Sequence, residues 1–91
     1  MRVLVVEDHA ETADYITSSL RAQGHVVDHC ANGRDGFLHA LDNDYDVMVF
    51  DRMLPGLDGL TLIKSVRGAG VETPILVLSA MDGIDDRVEG L

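Results

Sequence analysis

Four side chains carry most of the chemistry open to this chain: Glu7, Asp8, Asp51 and Ser79. Glu7, Asp51 and Ser79 each stand directly after a short apolar run (Val3–Val6, Val47–Phe50 and Ile75–Leu78), and Asp8 follows Glu7. Carboxylates gathered at one place repel one another, so each resists ionisation until a cation neutralises the group. An all-oxygen ligand set suits Mg²⁺, which takes one or two carboxylates, keeps several waters and shares its site with a phosphate. Asp51 has the added capacity to act as a nucleophile and receive a phosphoryl group as an acyl phosphate. Ser79 could then donate its hydroxyl to a phosphoryl oxygen. Transfer of this kind depends on positioning and charge neutralisation, which a small acidic rim can supply.

Such residues work only if the elements around them bring them together. The apolar runs before Glu7, Asp51 and Ser79 are rich in β-branched and aliphatic residues and read as strands covered on both faces. A further short strand is predicted over His25 to Cys30. Between the strands lie helical patterns. Ala13, Ile16 and Leu20 repeat within Ala10 to Gln23, with Gly24 as the stop. Asn32-Gly33 opens a second helix whose stripe is read as Phe37, Leu38 and Leu41. Leu62, Ile63 and Val66 share one face of a third, from about Leu60 to Arg67, that stops near Gly68 and Gly70. Ile84, Val88 and Leu91 at i, i+4, i+7 predict the start of a fourth helix, with Asp82, Asp85 and Asp86 as its N-terminal charge cluster. Strands joined by helix-length crossovers imply a parallel α/β sheet with helices on both faces. All its strand C-termini share one edge, where such sheets keep their ligand sites.

Glu7-Asp8 after the first strand, Asp51 followed by Met53-Leu54-Pro55-Gly56 and Asp58-Gly59, and Leu78-Ser79-Ala80 together resemble a bacterial two-component response-regulator receiver domain. The similarity runs through all 91 residues. The loop DRMLPGLDG is most similar to the OmpR/PhoB subfamily. The resemblance implies a flavodoxin-like (CheY-like) doubly wound sheet of order 2-1-3-4. It implies Asp51 as phosphoacceptor, Glu7, Asp8, Asp51 and the Met53 backbone carbonyl as Mg²⁺ ligands, and Ser79 as the switch hydroxyl. The donor would be the phosphohistidine of a sensor histidine kinase, and the parent protein a transcription regulator with a DNA-binding domain downstream. The segment itself would be no enzyme beyond weak self-catalysed phosphotransfer and dephosphorylation.

One departure stands out. The family pattern continues with a fifth strand ending in Lys-Pro and a fifth helix, and that lysine contacts the phosphoryl group. The only lysine here is Lys64, in the third helix. Residues 1–91 are therefore expected to be a receiver domain incomplete at its C-terminus. A lost hydrogen bond to a charged group costs about 1.5–3 kcal/mol, or roughly 10- to 100-fold in transfer rate. A phosphorylation-independent pseudo-receiver that signals by contact stays open as the alternative. The fourth strand is expected to be an uncovered edge, which invites a homodimer or strand-swapped oligomer.

Composition narrows the rest. Ninety-one residues make one small domain, and 46 % apolar content is that of a globular chain. Sixteen acids against seven bases give a net charge of −9, which argues against direct contact with nucleic acid or an anionic membrane. With one cysteine, Cys30, there is no disulfide framework, and a reducing cytoplasm is expected. No stretch approaches a membrane span or a signal peptide. A Mg²⁺-dependent phosphohydrolase is disfavoured, because Met53 rather than a carboxylate stands two residues after Asp51. A flavin site is disfavoured because Glu7 to Asp14 is not a Ser/Thr/Gly-rich phosphate loop. His9 reads as an exposed neighbour of the acidic pair, His25 and His29 as structural, and Cys30 as a small buried apolar residue.

Overall fold

The computed structural model describes residues 1–55, 57–79 and 83–89, residue 79 and the last seven by backbone course alone. Strands β1 (Arg2–Val6), β2 (Val26–Cys30), β3 (Val47–Asp51) and β4 (Ile75–Ser79) are parallel and lie in the order β2-β1-β3-β4. Helices α1 (Ala10–Ala22), α2 (Gly33–Asp42) and α3 (Gly59–Gly68) make the crossovers. This is the flavodoxin-like arrangement expected from the sequence.

The alternation of side chains along each strand divides the core in two. Val3, Val5, Val27, Val49 and Leu78 form one layer, closed by Ile16 and Leu20 of α1. Leu4, Val6, Met48, Phe50, Ile75 and Val77 form the other, closed by Ala40 of α2 and Leu62, Ile63 and Val66 of α3. Helices thus cover both faces, which is why Val3–Val6, Val47–Phe50 and Ile75–Leu78 are apolar throughout. Two helices end on glycines in the left-handed region, Gly24 (φ 91°) and Gly70 (φ 88°), where a side chain would be strained. Their amides bond back to the Arg21 and Arg67 carbonyls, both at 3.0 Å.

Three sequence expectations fail here. The α2 stripe is not Phe37, Leu38 and Leu41, since Leu38 and Leu41 are 51 % and 43 % exposed. The buried face is Gly33, Gly36 and Ala40, with Phe37 partly covered. Small residues win that face because the helix lies hard against β1: a Cβ on Gly36 would sit 2.6 Å from a Val6 methyl. Second, the fourth helix expected from Ile84 is a strand, β5 (Gly83–Glu89). Ile84 and Val88 at i, i+4 satisfy a period of two as well as one of 3.6, so the spacing alone does not discriminate. The expected helical charge cluster falls with it, Asp85 and Asp86 lying in β5 and Asp82 outside the described residues. Third, β4 is not an open edge. β5 pairs with it antiparallel, Leu76 opposite Val88 and Leu78 opposite Ile84, and satisfies backbone groups an open edge would leave bare. Among the described residues there is no parallel fifth strand and no fifth helix.

Candidate phosphoryl and metal site

The register of β1 on β3 builds the site. Val6 pairs with Phe50, so the next residue on each strand, Glu7 and Asp51, emerges side by side at the carboxyl rim. Both are buried, at 5 % and 3 % exposure, whereas Asp8 is exposed. One carboxylate oxygen from each of Glu7, Asp8 and Asp51 can be chosen so that all three lie within 4.8 Å of one another. No histidine or cysteine joins this group among the described residues, and His9 instead occupies the N-cap position of α1. An all-carboxylate set with two buried members fits a hard, oxygen-seeking divalent cation.

Charge crowding is visible in Glu7. Its pKa is raised from 4.5 to about 8, first by burial, then by a hydrogen bond with the Asp51 carboxylate and by the charges of Asp51 and Asp8. The Asp8 amide, which donates to Glu7 Oε2 at 3.1 Å, opposes the rise. Glu7 therefore ionises less readily than an ordinary carboxyl, and an incoming cation would favour its charged form.

Backbone contacts hold each acid in place. The Glu7 amide donates to the Cys30 carbonyl at 3.0 Å and extends the β1–β2 ladder by one residue. The Arg52 amide donates to the Leu78 carbonyl at 2.8 Å, which ties the residue after Asp51 to β4. Asp51 Oδ1 accepts from the Met53 amide at 3.2 Å, so the loop after β3 folds over the acid it follows. Asp58 closes the loop as N-cap of α3, accepting from the Thr61 amide at 2.9 Å, and this bond holds its carboxyl below the usual range. Gly59 is required next to it, because a Cβ there would collide with the Asp51 carbonyl oxygen.

The structure thus brings Glu7, Asp8 and Asp51 together and places Met53 against Asp51 through its amide. Ser79 ends β4 one residue beyond Leu78, the register partner of Asp51, so its backbone stands at the same rim. Lys64 lies on α3, where its charge acts on Asp58. Cys30 is buried as expected, its thiol pushed up to about 11 by burial and by the charges of Asp35 and Asp28, with the His39 ring 3.3 Å from the sulfur. One contact escaped the sequence reading. His29 Nε2 lies 2.8 Å from the Glu7 carbonyl oxygen, and neither periodicity nor spacing could signal a bond from a strand residue to a neighbouring strand's backbone.

Comparison with known proteins bears on the family and the fold. The family model described as "Response regulator receiver domain" matches residues 3–91. Among curated relatives of the OmpR/PhoB type, the transcriptional regulatory protein HprR of Escherichia coli (strain K12) is 42 % identical over 91 residues. That match takes in all of this chain and 40 % of the relative, so the chain spans well under half the length of the full regulator. The solved receiver domain of the Francisella response regulator 1452 superposes with a TM-score of 0.85 at 34 % identity, over 90 % of this chain and 68 % of that one. The receiver domain of the sensor histidine kinase PA1611 from Pseudomonas aeruginosa PAO1, solved with a magnesium ion coordinated in its active site cleft, superposes with a TM-score of 0.82 at 32 % identity. That superposition covers 87 % of this chain and 66 % of the PA1611 domain.

Proposed function

Because this chain belongs to the response regulator receiver domain family, we propose that Asp51 receives a phosphoryl group from the phosphohistidine of a sensor histidine kinase. Mg²⁺ would be held by Glu7, Asp8, Asp51 and the Met53 backbone carbonyl. The observation that carries this reading is the convergence of two buried acids and one exposed acid within 4.8 Å at the rim of β1 and β3. A bound Mg²⁺ would neutralise the acids and the negative charge on the transferring group.

The chain's own residues supply the rest. A carboxylate oxygen of Asp51 attacks phosphorus, the bond from phosphorus to the donor's imidazole nitrogen breaks, and the imidazole leaves with the electron pair. The Met53 amide keeps the Asp51 side chain in one orientation, so little freedom is lost at the moment of attack. Ser79, at the end of β4, turns its hydroxyl to a phosphoryl oxygen of the product. The same rim lets the domain take phosphate weakly from small donors and later hydrolyse it. In the longer parent protein the phosphorylated domain would govern a DNA-binding domain and so transcription, in the cytoplasm. That setting is supported by the transcriptional relatives and by the absence, among the described residues, of any helix long and apolar enough to cross a membrane.

Intact-mass measurement after incubation with Mg²⁺ and acetyl phosphate tests the reading. We expect one added phosphoryl group on the wild type and none on Asp51→Asn. Equal labelling of the two, or labelling unaffected by chelation of Mg²⁺, would overturn it.

A further inference from the structure

We infer that His29 is a positioning residue for the acidic pair, acting through the Glu7–Asp8 peptide group. This rests on the reading of Glu7, Asp8 and Asp51 as cation ligands. The peptide group in question is held from both sides. Its N–H, belonging to Asp8, donates to Glu7 Oε2 at 3.1 Å. Its carbonyl oxygen, belonging to Glu7, accepts from His29 Nε2 at 2.8 Å. A carbonyl oxygen can only accept, so the imidazole must carry its hydrogen on Nε2. The bond survives in both the neutral and the charged imidazole, which makes it a fixed support rather than a pH switch.

The location gives the bond its consequence. The β1–β2 ladder ends with the Glu7 amide on the Cys30 carbonyl at 3.0 Å, and the next element, α1, begins at Ala10. Asp8 therefore lies in a short connection, just where regular pairing stops. The plane of the Glu7–Asp8 peptide sets the direction in which the buried Glu7 and the exposed Asp8 leave the backbone. His29, next to Cys30 on β2, is the side chain that grips that plane from outside the strand carrying it. Groups that orient metal ligands without touching the metal typically govern its affinity by 10- to 100-fold. A hold on the ligands' backbone should lie at the lower end of that range.

His29→Val removes the donor and keeps a residue suited to a strand, whereas His29→Gln retains an N–H of similar reach. Without metal, we expect the Glu7 carbonyl-carbon and Asp8 amide resonances to shift in His29→Val and to stay near wild type in His29→Gln. In calorimetric Mg²⁺ titrations His29→Val should bind roughly 10-fold more weakly, with His29→Gln recovering most of the loss at an unchanged unfolding midpoint. Wild-type affinity in His29→Val, or equal weakening in both variants, overturns the inference. A wild type that takes no Mg²⁺, or an Asp51→Asn variant that binds as well as wild type, instead overturns the metal reading and this role with it. The metal-free resonances separate the two failures, since they report the His29 bond whether or not the cation binds.

Discussion

At the scale of the residue, Glu7 makes the site's pH dependence calculable. Its pKa in the folded chain is about 8 against an ordinary 4.5, with burial the largest cause. A carboxyl raised on folding favours the folded state fully below its ordinary pKa, and that advantage is lost as pH rises through the raised value. The metal-free protein should therefore lose stability between pH 4.5 and about 8 as Glu7 is forced to ionise. Mg²⁺ works against the same proton, so its affinity should climb over that window and level off above it. Glu7→Gln should bind Mg²⁺ more weakly, with the climb much flattened, and should melt higher than wild type in metal-free buffer at about pH 8.5. Titration calorimetry and thermal unfolding at several pH values check both; a wild-type affinity that does not change with pH would exclude the shifted Glu7. The acids themselves were legible in the sequence because Glu7 and Asp51 each terminate an apolar run and Asp8 adjoins Glu7. The His29 bond was not, because it depends on how two strands lie side by side.

Glycine decides how the elements seat. Gly36 faces β1 so closely that a Cβ would lie 2.6 Å from one Val6 methyl and 3.1 Å from the other. Overpacking of this kind costs about 1–3 kcal/mol, more than the roughly 1 kcal/mol alanine brings over glycine inside a helix. Gly36→Ala should thus be destabilised by up to about 2 kcal/mol. Gly68, at the end of α3, has nothing within 4 Å of a built Cβ and lies outside the left-handed region. Gly68→Ala should be stabilised by about 0.4–1 kcal/mol. Urea unfolding of the pair checks the contrast, and the same sign in both would refute the packing argument. The element scale also shows where sequence reading succeeds and fails. Strands β1, β3 and β4 were legible because each holds a four-residue apolar run, too short for a buried helix and bounded by polar or turn residues, and the α3 stripe because Leu62, Ile63 and Val66 fit a helical period. The α2 face was misread because reading by hydrophobicity favours Leu38 and Leu41, while close approach to the sheet favours Gly36 and Ala40. The stretch after Gly83 was misread because its spacing fits two periods, and pairing with β4 decided between them.

For the molecule as a whole, that last pairing changes how self-association should work. β4 was expected to seek another chain, yet β5 already covers it, and the outer strands of the sheet are β2 and β5. Association through the β4 edge now requires β5 to leave and be exchanged for the β5 of a second copy. The sequence of β5 carries Asp85, Asp86 and Glu89 against Arg87, in a chain of net charge −9. Two copies brought edge to edge therefore repel one another, and charged edges are a known guard against such pairing. The repulsion is screenable. The Debye length falls from about 10 Å at 0.1 M salt to about 3 Å at 1 M, below the spacing of neighbouring strands. We expect a monomer by light scattering in about 0.1 M salt and slow, concentration-dependent dimer formation in about 1 M salt. Exchange requires the four residue pairs that hold β4 and β5 in register to separate first, so it should lag well behind mixing. Replacing Asp85 and Asp86 together with asparagine should bring the dimer out at the lower salt. A mass independent of salt in both proteins would remove strand exchange as a route, and charge as the barrier to it.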